Sequence, residues 1–269
     1  MKRNILTLLI ALLALGQAAA QTYDNLWKQA EIIAQKDQPR SEIAVMKKII
    51  AKATAAKDYG QLLAAEMRQT TLWKEISADS LTPNVKRMET EVLRVKDPAL
   101  KAVRYAVLGK VYHDNTYGID VDDATQEQRE DASYYQSQRE VNLKKSEEYF
   151  KKALEQPELL AKHASADYVP LTLKGVDGSS FNNDLLHLIG FEADSKDAYL
   201  LLYTYYNKVG NRGAACLCAY KLIEKYRQDD VREVKKSKYL QTIDSLIQVY
   251  QDIPEAGELA VEHFRFMEG

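Results

Sequence analysis

Apolar residues recur at steps of three and four along most of the chain, which is the spacing of a helix with one buried face. The first run extends from Tyr23 to about Lys36. The stripes that the runs predict are Tyr23, Trp27, Ala30 and Ala34; Ile43, Met46, Ile50 and Ala53; Leu62, Ala65, Leu72 and Ile76; Val85, Met88, Val92 and Val95; and Leu100, Val103, Val107 and Val111. Short polar turns join them, without the period-two alternation of strands. The pattern therefore predicts an all-α chain of antiparallel helical hairpins, which must stack because one hairpin cannot bury its apolar faces alone.

Two of the predicted helices have a clear start signal. Thr82-Pro83 and Asp97-Pro98 each look like an N-cap residue followed by proline at the first helical position. Proline is tolerated there because the backbone N–H of that position has no partner inside the helix.

Two stretches resemble the tetratricopeptide repeat. In the first stretch, the residues at the packing positions of the repeat are Tyr105, Leu108, Gly109 and Tyr112, followed by Ser146, Phe150 and Ala153 on a second helix. In the second stretch, they are Tyr199, Leu202, Tyr206, Gly210 and Ala215. The second match is looser, since Tyr203 stands where the repeat prefers glycine. The resemblance implies a tetratricopeptide-like α-solenoid in which small residues allow close helix approach and aromatic residues fill the gaps.

Two segments break the regularity. The segment from Asp114 to Glu140 separates the halves of the first repeat-like unit and is predicted to be a solvated acidic loop. Within it, Asp120, Asp122 and Asp123 resemble part of a calcium loop, but the spaced glycine and the distal glutamate are missing, so calcium is the lesser alternative. The segment 163–180 contains Gly, Ser and Pro; it is either a hinge between helical subdomains or a connection within one continuous array.

Residues 1–20 have the organisation of a secretory signal peptide. Lys2 and Arg3 precede the apolar core "ILTLLIALLALG", and Ala18-Ala19-Ala20 supplies small residues for cleavage. We expect cleavage between Ala20 and Gln21, export to the periplasm or cell envelope, and a mature helical array of residues 21–269. A retained anchor is the alternative, but the apolar core is shorter than the ~20 residues that span a bilayer.

The charge of the mature chain argues against nucleic acid as a partner. Without Lys2 and Arg3, the 37 basic residues become 35 against 39 acidic residues, a net charge near −4. Phosphate-backbone binding requires a basic surface that this balance does not provide. No mature segment is apolar enough to be a membrane span.

Candidate catalytic and metal-binding residues are few. Cys216 and Cys218 lie two positions apart on one predicted helix, so their side chains point about 200° apart and cannot form a disulfide with each other. The histidines are scattered, at His113, His163, His187 and His263, and form no zinc-binding pair. We expect the cysteines to be buried packing residues, and predict no catalytic residue, cofactor or metal. A helical enzyme is the least favoured function.

The last predicted helix, starting near Pro254, places Ala256, Ala260, Phe264 and Met267 on an apolar stripe. Two interpretations stay open. The stripe packs inward on the Val234 to Tyr250 helix, or it is covered by a following segment or a partner, because the terminal units of a solenoid normally present a polar outer face.

One stretch is more specific than the repeat pattern. It resembles the start of the very large alpha-2-macroglobulin-like proteins secreted by Bacteroidetes, through Leu26-Trp27-Lys28-Gln29, Lys36-Asp37-x-Pro39, the helix from Ile49 to Ala56, and Gln61-Leu62-Leu63. The segments "NDLLHLIGFE" and Ala198 to Tyr226 are similar to later parts of the same leader region.

The resemblance implies a non-catalytic scaffold or interaction module, equivalent to the N-terminal region of a protease-inhibitor protein, with downstream macroglobulin domains or another protein as its partner. The chain has no β-rich region and no Cys-x-Glu-Gln thioester, so the resemblance does not extend to protease trapping by these residues. The alternative is a stand-alone periplasmic tetratricopeptide-like protein that binds a peptide or protein.

Overall fold

A computed structural model describes residues 22–120, 125, 127, 132–172, 177–229 and 233–268. The expected signal peptide and cleavage site, as well as Asp122 and Asp123, lie outside the described residues. The described helices are α1 (Tyr23–Ala34), α2 (Pro39–Ala56), α3 (Tyr59–Ile76), α4 (Leu81–Arg94), α5 (Pro98–Asp114), α6 (Ala132–Ala153), α7 (Pro157–Leu160), α8 (Leu185–Ala193), α9 (Lys196–Lys208), α10 (Arg212–Asp229), α11 (Glu233–Tyr250) and α12 (Ala256–Glu268).

Short 3₁₀ helices lie at Ala78–Ser80 and Ser165–Tyr168. In the described residues the one β-type pairing is an isolated bridge between Ala164 and Asp184. The prediction of an all-α chain of packed helical hairpins is confirmed. None of the described helices combines the length and apolarity needed to cross a bilayer.

The chain divides between Ser80 and Leu81 into two compact units. The first unit contains α1, α2 and α3, and its core is formed by Leu26, Ala30, Ile43, Val45, Met46, Ile49, Ala65 and Leu72. The Trp27 indole donates to Gln61 Oε1 (2.6 Å) and so ties α1 to α3. Arg68 of α3 forms a bidentate pair with the buried Glu42 of α2, which compensates the burial of that carboxylate.

The second unit contains α4 to α12. The start of α5 is as predicted, because Asp97 accepts a hydrogen bond from the Leu100 N–H (2.8 Å) and Pro98 occupies the first turn. The predicted cap at Thr82 is wrong, since α4 begins one residue earlier, at Leu81, directly after the 3₁₀ helix. The Thr82 hydroxyl instead accepts from the Asp120 N–H (3.0 Å) and therefore holds the segment that follows α5.

The hairpin of α5 and α6 shows the close approach that the repeat pattern implies. A Cβ placed on Gly109 would lie 2.8 Å from the Phe150 ring, and the Ser146 hydroxyl donates to the Gly109 carbonyl (2.8 Å). Each of the two small residues thus allows the partner helix to contact the backbone, and a larger side chain at position 109 would force the helices apart.

The described parts of the segment 114–140 are not the solvated loop that we predicted. Its second part is helical, since α6 begins at Ala132, and in its first part Ile119 is only 2 % exposed. The buried Asn142 side chain donates to the carbonyls of Thr116 (2.9 Å) and Ile119 (2.8 Å). Gln138 donates to the Ile119 carbonyl as well (2.9 Å). These hydrogen bonds satisfy backbone carbonyls that follow the end of α5 and still lie inside the protein.

The segment 163–180, predicted as either a hinge or an internal connection, lies within the second unit. The His163 carbonyl accepts from the Leu185 N–H (3.0 Å), and the Ser165 N–H donates to the Asn183 carbonyl (2.9 Å). These bonds fasten its described part to the start of α8. The Val169–Pro170 peptide bond is cis.

Helices α9 to α12 form two successive hairpins. Gly210, with φ +77°, makes the turn between α9 and α10, a conformation that glycine adopts without strain. Helix α10 contacts α9 on one side and both α11 and α12 on another. All six residues from Ala214 to Ala219 are consequently buried.

Candidate functional site

The two cysteines lie inside the second unit. Although they point away from each other, both are fully buried because α10 is covered on opposite sides. Burial raises the pKa of the Cys216 thiol to about 12, with a smaller contribution from Glu255, and raises the pKa of Cys218 well above its usual value. Thiols in this state are poor nucleophiles and poor metal ligands. The prediction that they are buried packing residues agrees with this environment.

The histidines do not come together. His113 is exposed beside Asp114, while His263 Nε2 lies 3.1 Å from Asp244 Oδ1. His187 is buried, with its ring stacked on Phe181 at a centroid distance of 3.9 Å. Within the described residues, no group of three or more His, Cys, Asp or Glu is placed to hold a metal ion.

Asp184, beside His187 and Phe181, is the most strongly perturbed carboxylate. Burial raises its pKa to about 6, against the opposing effect of hydrogen bonds from the His187 N–H (2.8 Å) and the Tyr206 hydroxyl (2.9 Å). The carboxyl group caps α8 and joins it to α9. It is only 3 % exposed, and its contacts hold two helices together.

A second polar cluster lies between α4, α5 and α6. Glu89 Oε1 accepts from the hydroxyls of Tyr112 (2.7 Å) and Tyr149 (2.6 Å), and the two rings stack at 5.6 Å. Burial, reinforced by the bond to Glu89, raises the pKa of Tyr149. Both hydroxyls are bound within the protein, so this cluster is also a helix contact.

A groove of about 550 Å³ lies between α9, α10 and α11. We call it the tyrosine groove. It is lined by Tyr203, Ala219, Leu222, Ile223, Tyr226, Lys238, Tyr239, Thr242 and Leu246. The α10 residues recur at steps of three and four and form one wall, and the α11 residues recur in the same way and form the other.

A series of aromatic ring contacts lies at one end of the tyrosine groove. The Tyr226 and Tyr239 rings stack at 6.0 Å, and Tyr239 contacts Phe266 of α12 at 5.5 Å. Lys196 of α9 places its ammonium group 4.6 Å from the centre of the Tyr226 ring. This series of contacts joins α9, α10, α11 and α12 and fixes the two tyrosines at the groove wall.

Tyr250, the last residue of α11, is buried and contacts α9. Its hydroxyl donates to Asn207 Oδ1 (3.1 Å). Burial, together with the negative charge that Tyr203 would carry and a hydrogen bond with that residue, raises the pKa of Tyr250 to about 12. The hydroxyl therefore stays protonated at neutral pH, and Tyr203 is positioned on the groove wall by this contact.

No family model, curated protein or solved structure matches the chain in the comparisons made with each. The groove is therefore interpreted from its own chemistry. It offers apolar side chains, aromatic rings and the ammonium group of Lys238. Such a surface can bind by apolar contact, by stacking and by attraction of an anion, and the described residues that line it include no Ser, Cys, His, Asp or Glu.

Sequence reasoning did not find the groove. The stretch "VREVKKSKY" reads as a solvated helix face, and Leu222 reads as a packing residue on the stripe of Cys218. The only available signal was the pair of tyrosines, Tyr226 and Tyr239, at the two ends of a basic stretch. Nothing in that spacing indicates that their rings stack.

Proposed function

We propose that the chain is a non-catalytic interaction module, and that its tyrosine groove binds a short peptide segment of a protein partner. The observation that carries the proposal is the groove itself. Its volume of about 550 Å³ falls in the range of ~300–1,000 Å³ that is typical of ligand sites. Tyrosine and aliphatic side chains line it, and this composition is common where proteins bind peptides.

The occupant that fits the groove is an extended peptide with large apolar side chains flanked by acidic residues. The floor, with Ala219 and Ile223, accepts apolar groups because both residues are buried and uncharged. Among the described residues that line the groove, the one charged side chain is that of Lys238. An acidic residue beside the apolar anchor would meet this ammonium group, which favours an acidic peptide over a basic one.

Two settings for this function follow from the sequence. In the first, the module belongs to the N-terminal region of an alpha-2-macroglobulin-like protein, and the bound peptide comes from the downstream domains. In the second, it is a stand-alone periplasmic tetratricopeptide-like protein with a separate partner. The neighbouring DNA distinguishes them, because an adjacent reading frame for macroglobulin domains supports the first setting alone.

The peptide proposal is tested with three labelled peptides of equal length, followed by fluorescence anisotropy. One carries Leu and Phe between Asp and Glu residues, the second has the same apolar residues between Lys residues, and the third has Ser in place of Leu and Phe. We expect the acidic apolar peptide to bind most tightly and the serine peptide to bind least. Affinity for the acidic peptide should fall as salt is raised, since exposed ion pairs are screened.

Two variants locate the binding. Leu246→Asp places a charge on the apolar wall and is expected to weaken binding at least tenfold. Leu93→Asp is its matched control, because Leu93 is 69 % exposed on α4 and does not line the groove. Helical circular dichroism verifies that both variants are folded. Equal affinity in the two variants, or failure of all three peptides to bind, would overturn the proposal.

A further inference from the structure

Helix α2 carries only one sign of charge on its exposed surface. Its single acidic residue, Glu42, is buried and pairs with Arg68 of α3. The charged residues of α2 that are exposed are Arg40, Lys47 and Lys48, and all three are cations. The chain as a whole is acidic, with 39 acidic residues against 37 basic residues. This surface therefore departs from the charge balance of the chain and attracts anions.

Two of these cations line a groove that has an indole ring as its other wall. The groove has a volume of about 420 Å³ and is lined by Arg40, Ile43, Ala44 and Lys47 of α2 and by Trp73 of α3. We call it the tryptophan groove. Trp73 is only partly buried, so its ring is available for contact. Tryptophan and arginine are among the residues that contribute most to the affinity of protein interfaces.

The spacing of the two cations sets the spacing of the negative charges that they can bind. Arg40 and Lys47 are two helical turns apart, so they lie on one face of α2 at a distance of ~10 Å along its axis. Ile43 and Ala44 lie between them on that face. In an extended peptide, side chains at alternate positions point to the same side, and positions i and i+4 are ~13 Å apart. The flexible stems of lysine and arginine can cover the difference.

We propose that the tryptophan groove binds an extended protein segment of the form acid-x-aromatic-x-acid, in which x is any residue. The aromatic side chain lies over Ala44 and against the Trp73 ring, and the two carboxylates meet Arg40 and Lys47. The proposal goes beyond the tyrosine groove and is independent of it, since no described residue lines both grooves. A concave site favours a peptide over a membrane surface, because residues that enter a bilayer project from the protein.

Two peptides of identical composition test the spacing. Both contain one Phe and two Asp among Ser residues. In the first peptide each Asp is two positions from Phe; in the second each Asp is adjacent to Phe, which turns the carboxylates to the opposite side of an extended chain. We expect the first peptide to bind roughly fivefold more tightly, because only its carboxylates reach the two cations.

The measurement separates this groove from the tyrosine groove. The protein carries Leu246→Asp, so that peptide binding at the tyrosine groove does not contribute. Anisotropy of the labelled peptides gives the affinity. An unlabelled peptide should also change the tryptophan fluorescence, because Trp73 lines the groove. The other tryptophan of the chain, Trp27, is bonded to Gln61 and does not line it.

A pair of charge reversals locates the binding. Lys47→Glu and Lys48→Glu change the net charge equally, but only Lys47 lines the groove. We expect K47E to weaken binding of the first peptide roughly tenfold, because a repulsion replaces an attraction, and K48E to weaken it less than about twofold. Both lysines are exposed, so the fold should persist, and circular dichroism checks this.

Three results would contradict the proposal. The two peptides bind equally well, K47E and K48E have the same effect, or neither peptide binds. Vesicles of phosphatidylglycerol are tested beside the peptides. If the protein binds them through Lys47 and binds neither peptide, the groove contacts a membrane and the peptide proposal is wrong.

Discussion

Replacing Asn142 with alanine is expected to release the segment 115–120, which sequence reasoning had treated as solvated. Asn142 is only 1 % exposed. Its amide group donates to the carbonyls of Thr116 (2.9 Å) and Ile119 (2.8 Å). Alanine removes both bonds and leaves the Thr116 carbonyl without this donor.

The magnitude follows from the number of bonds. A buried hydrogen bond contributes ~1 kcal/mol net, whereas removing one partner and stranding the other costs ~1–3 kcal/mol. The Ile119 carbonyl keeps its bond from Gln138, so only the Thr116 carbonyl is stranded. We therefore expect Asn142→Ala to lower the free energy of unfolding by about 2–4 kcal/mol, of which ~1 comes from the bond to Ile119 and ~1–3 from the stranded carbonyl. A Tm decrease of roughly 2–4 °C for each kcal/mol should accompany it in a unit of this size.

Two neighbouring variants are expected to lower the free energy of unfolding by smaller amounts than Asn142→Ala does. Gln138→Ala removes one bond to a carbonyl that keeps another, and should cost ~1 kcal/mol. Gln136→Ala removes an exposed bond to Glu140 (2.6 Å) and should cost less than ~0.5 kcal/mol. Urea denaturation, monitored by circular dichroism, measures the free energy of unfolding of the three variants and so their order. Hydrogen exchange of the peptide covering 115–120 reports the segment itself, whichever unit unfolds first.

The result that refutes this reasoning is specific. If Asn142→Ala is as well tolerated as Gln136→Ala, and exchange in 115–120 does not change, the two hydrogen bonds do not hold the segment. The original expectation of a solvated excursion would then be restored for this part of the chain.

Three more predictions concern buried positions. Gly109→Val should cost about 1–3 kcal/mol through overlap with Phe150, and urea denaturation should show part of it recovered when Phe150→Leu is added. Asp184 binds a proton more readily when folded, so its contribution to stability is greatest below pH 4 and is lost as the pH rises through about 6. Asp184→Asn should flatten the dependence of Tm on pH in that window. A thiol reagent at pH 8 should label Cys216 and Cys218 only on unfolding, and Cys218→Ala should cost about 1 kcal/mol or less in urea denaturation.

The sequence predicted the helices and their caps better than it predicted which residues outside the helices are buried. Val103, Val107 and Val111 are all buried as expected, because a period of 3.6 residues identifies one face of a helix whatever lies opposite. The cap at Asp97 is equally local and was also predicted correctly. Ile119 was missed because one apolar residue in a polar segment has no period, and its burial depends on side chains about twenty positions away.

The same limit explains the error on α12. The stripe of Ala256, Ala260, Phe264 and Met267 was taken as one face with two interpretations left open. In the structure Ala256 faces inward, whereas Phe264 and Met267 face outward. A helix that is apolar on two sides has two valid stripes. Only the neighbouring helices decide which of them is covered.

The tyrosines explain why the tyrosine groove is a better candidate binding site than the buried clusters of tyrosines and carboxylates. Buried tyrosines need an acceptor for the hydroxyl, and in this protein the acceptors come from the chain itself. Tyr206 donates to Asp184, and Tyr199 donates to Asp194 (2.7 Å). These residues join helices.

Tyr226 and Tyr239 instead contact their neighbours through their rings, on a wall that stays open to solvent. A stacked aromatic wall beside an open groove buries less apolar surface than a closed helix contact would. The chain thus forgoes stabilisation at this place, which supports the proposal that the groove binds a peptide.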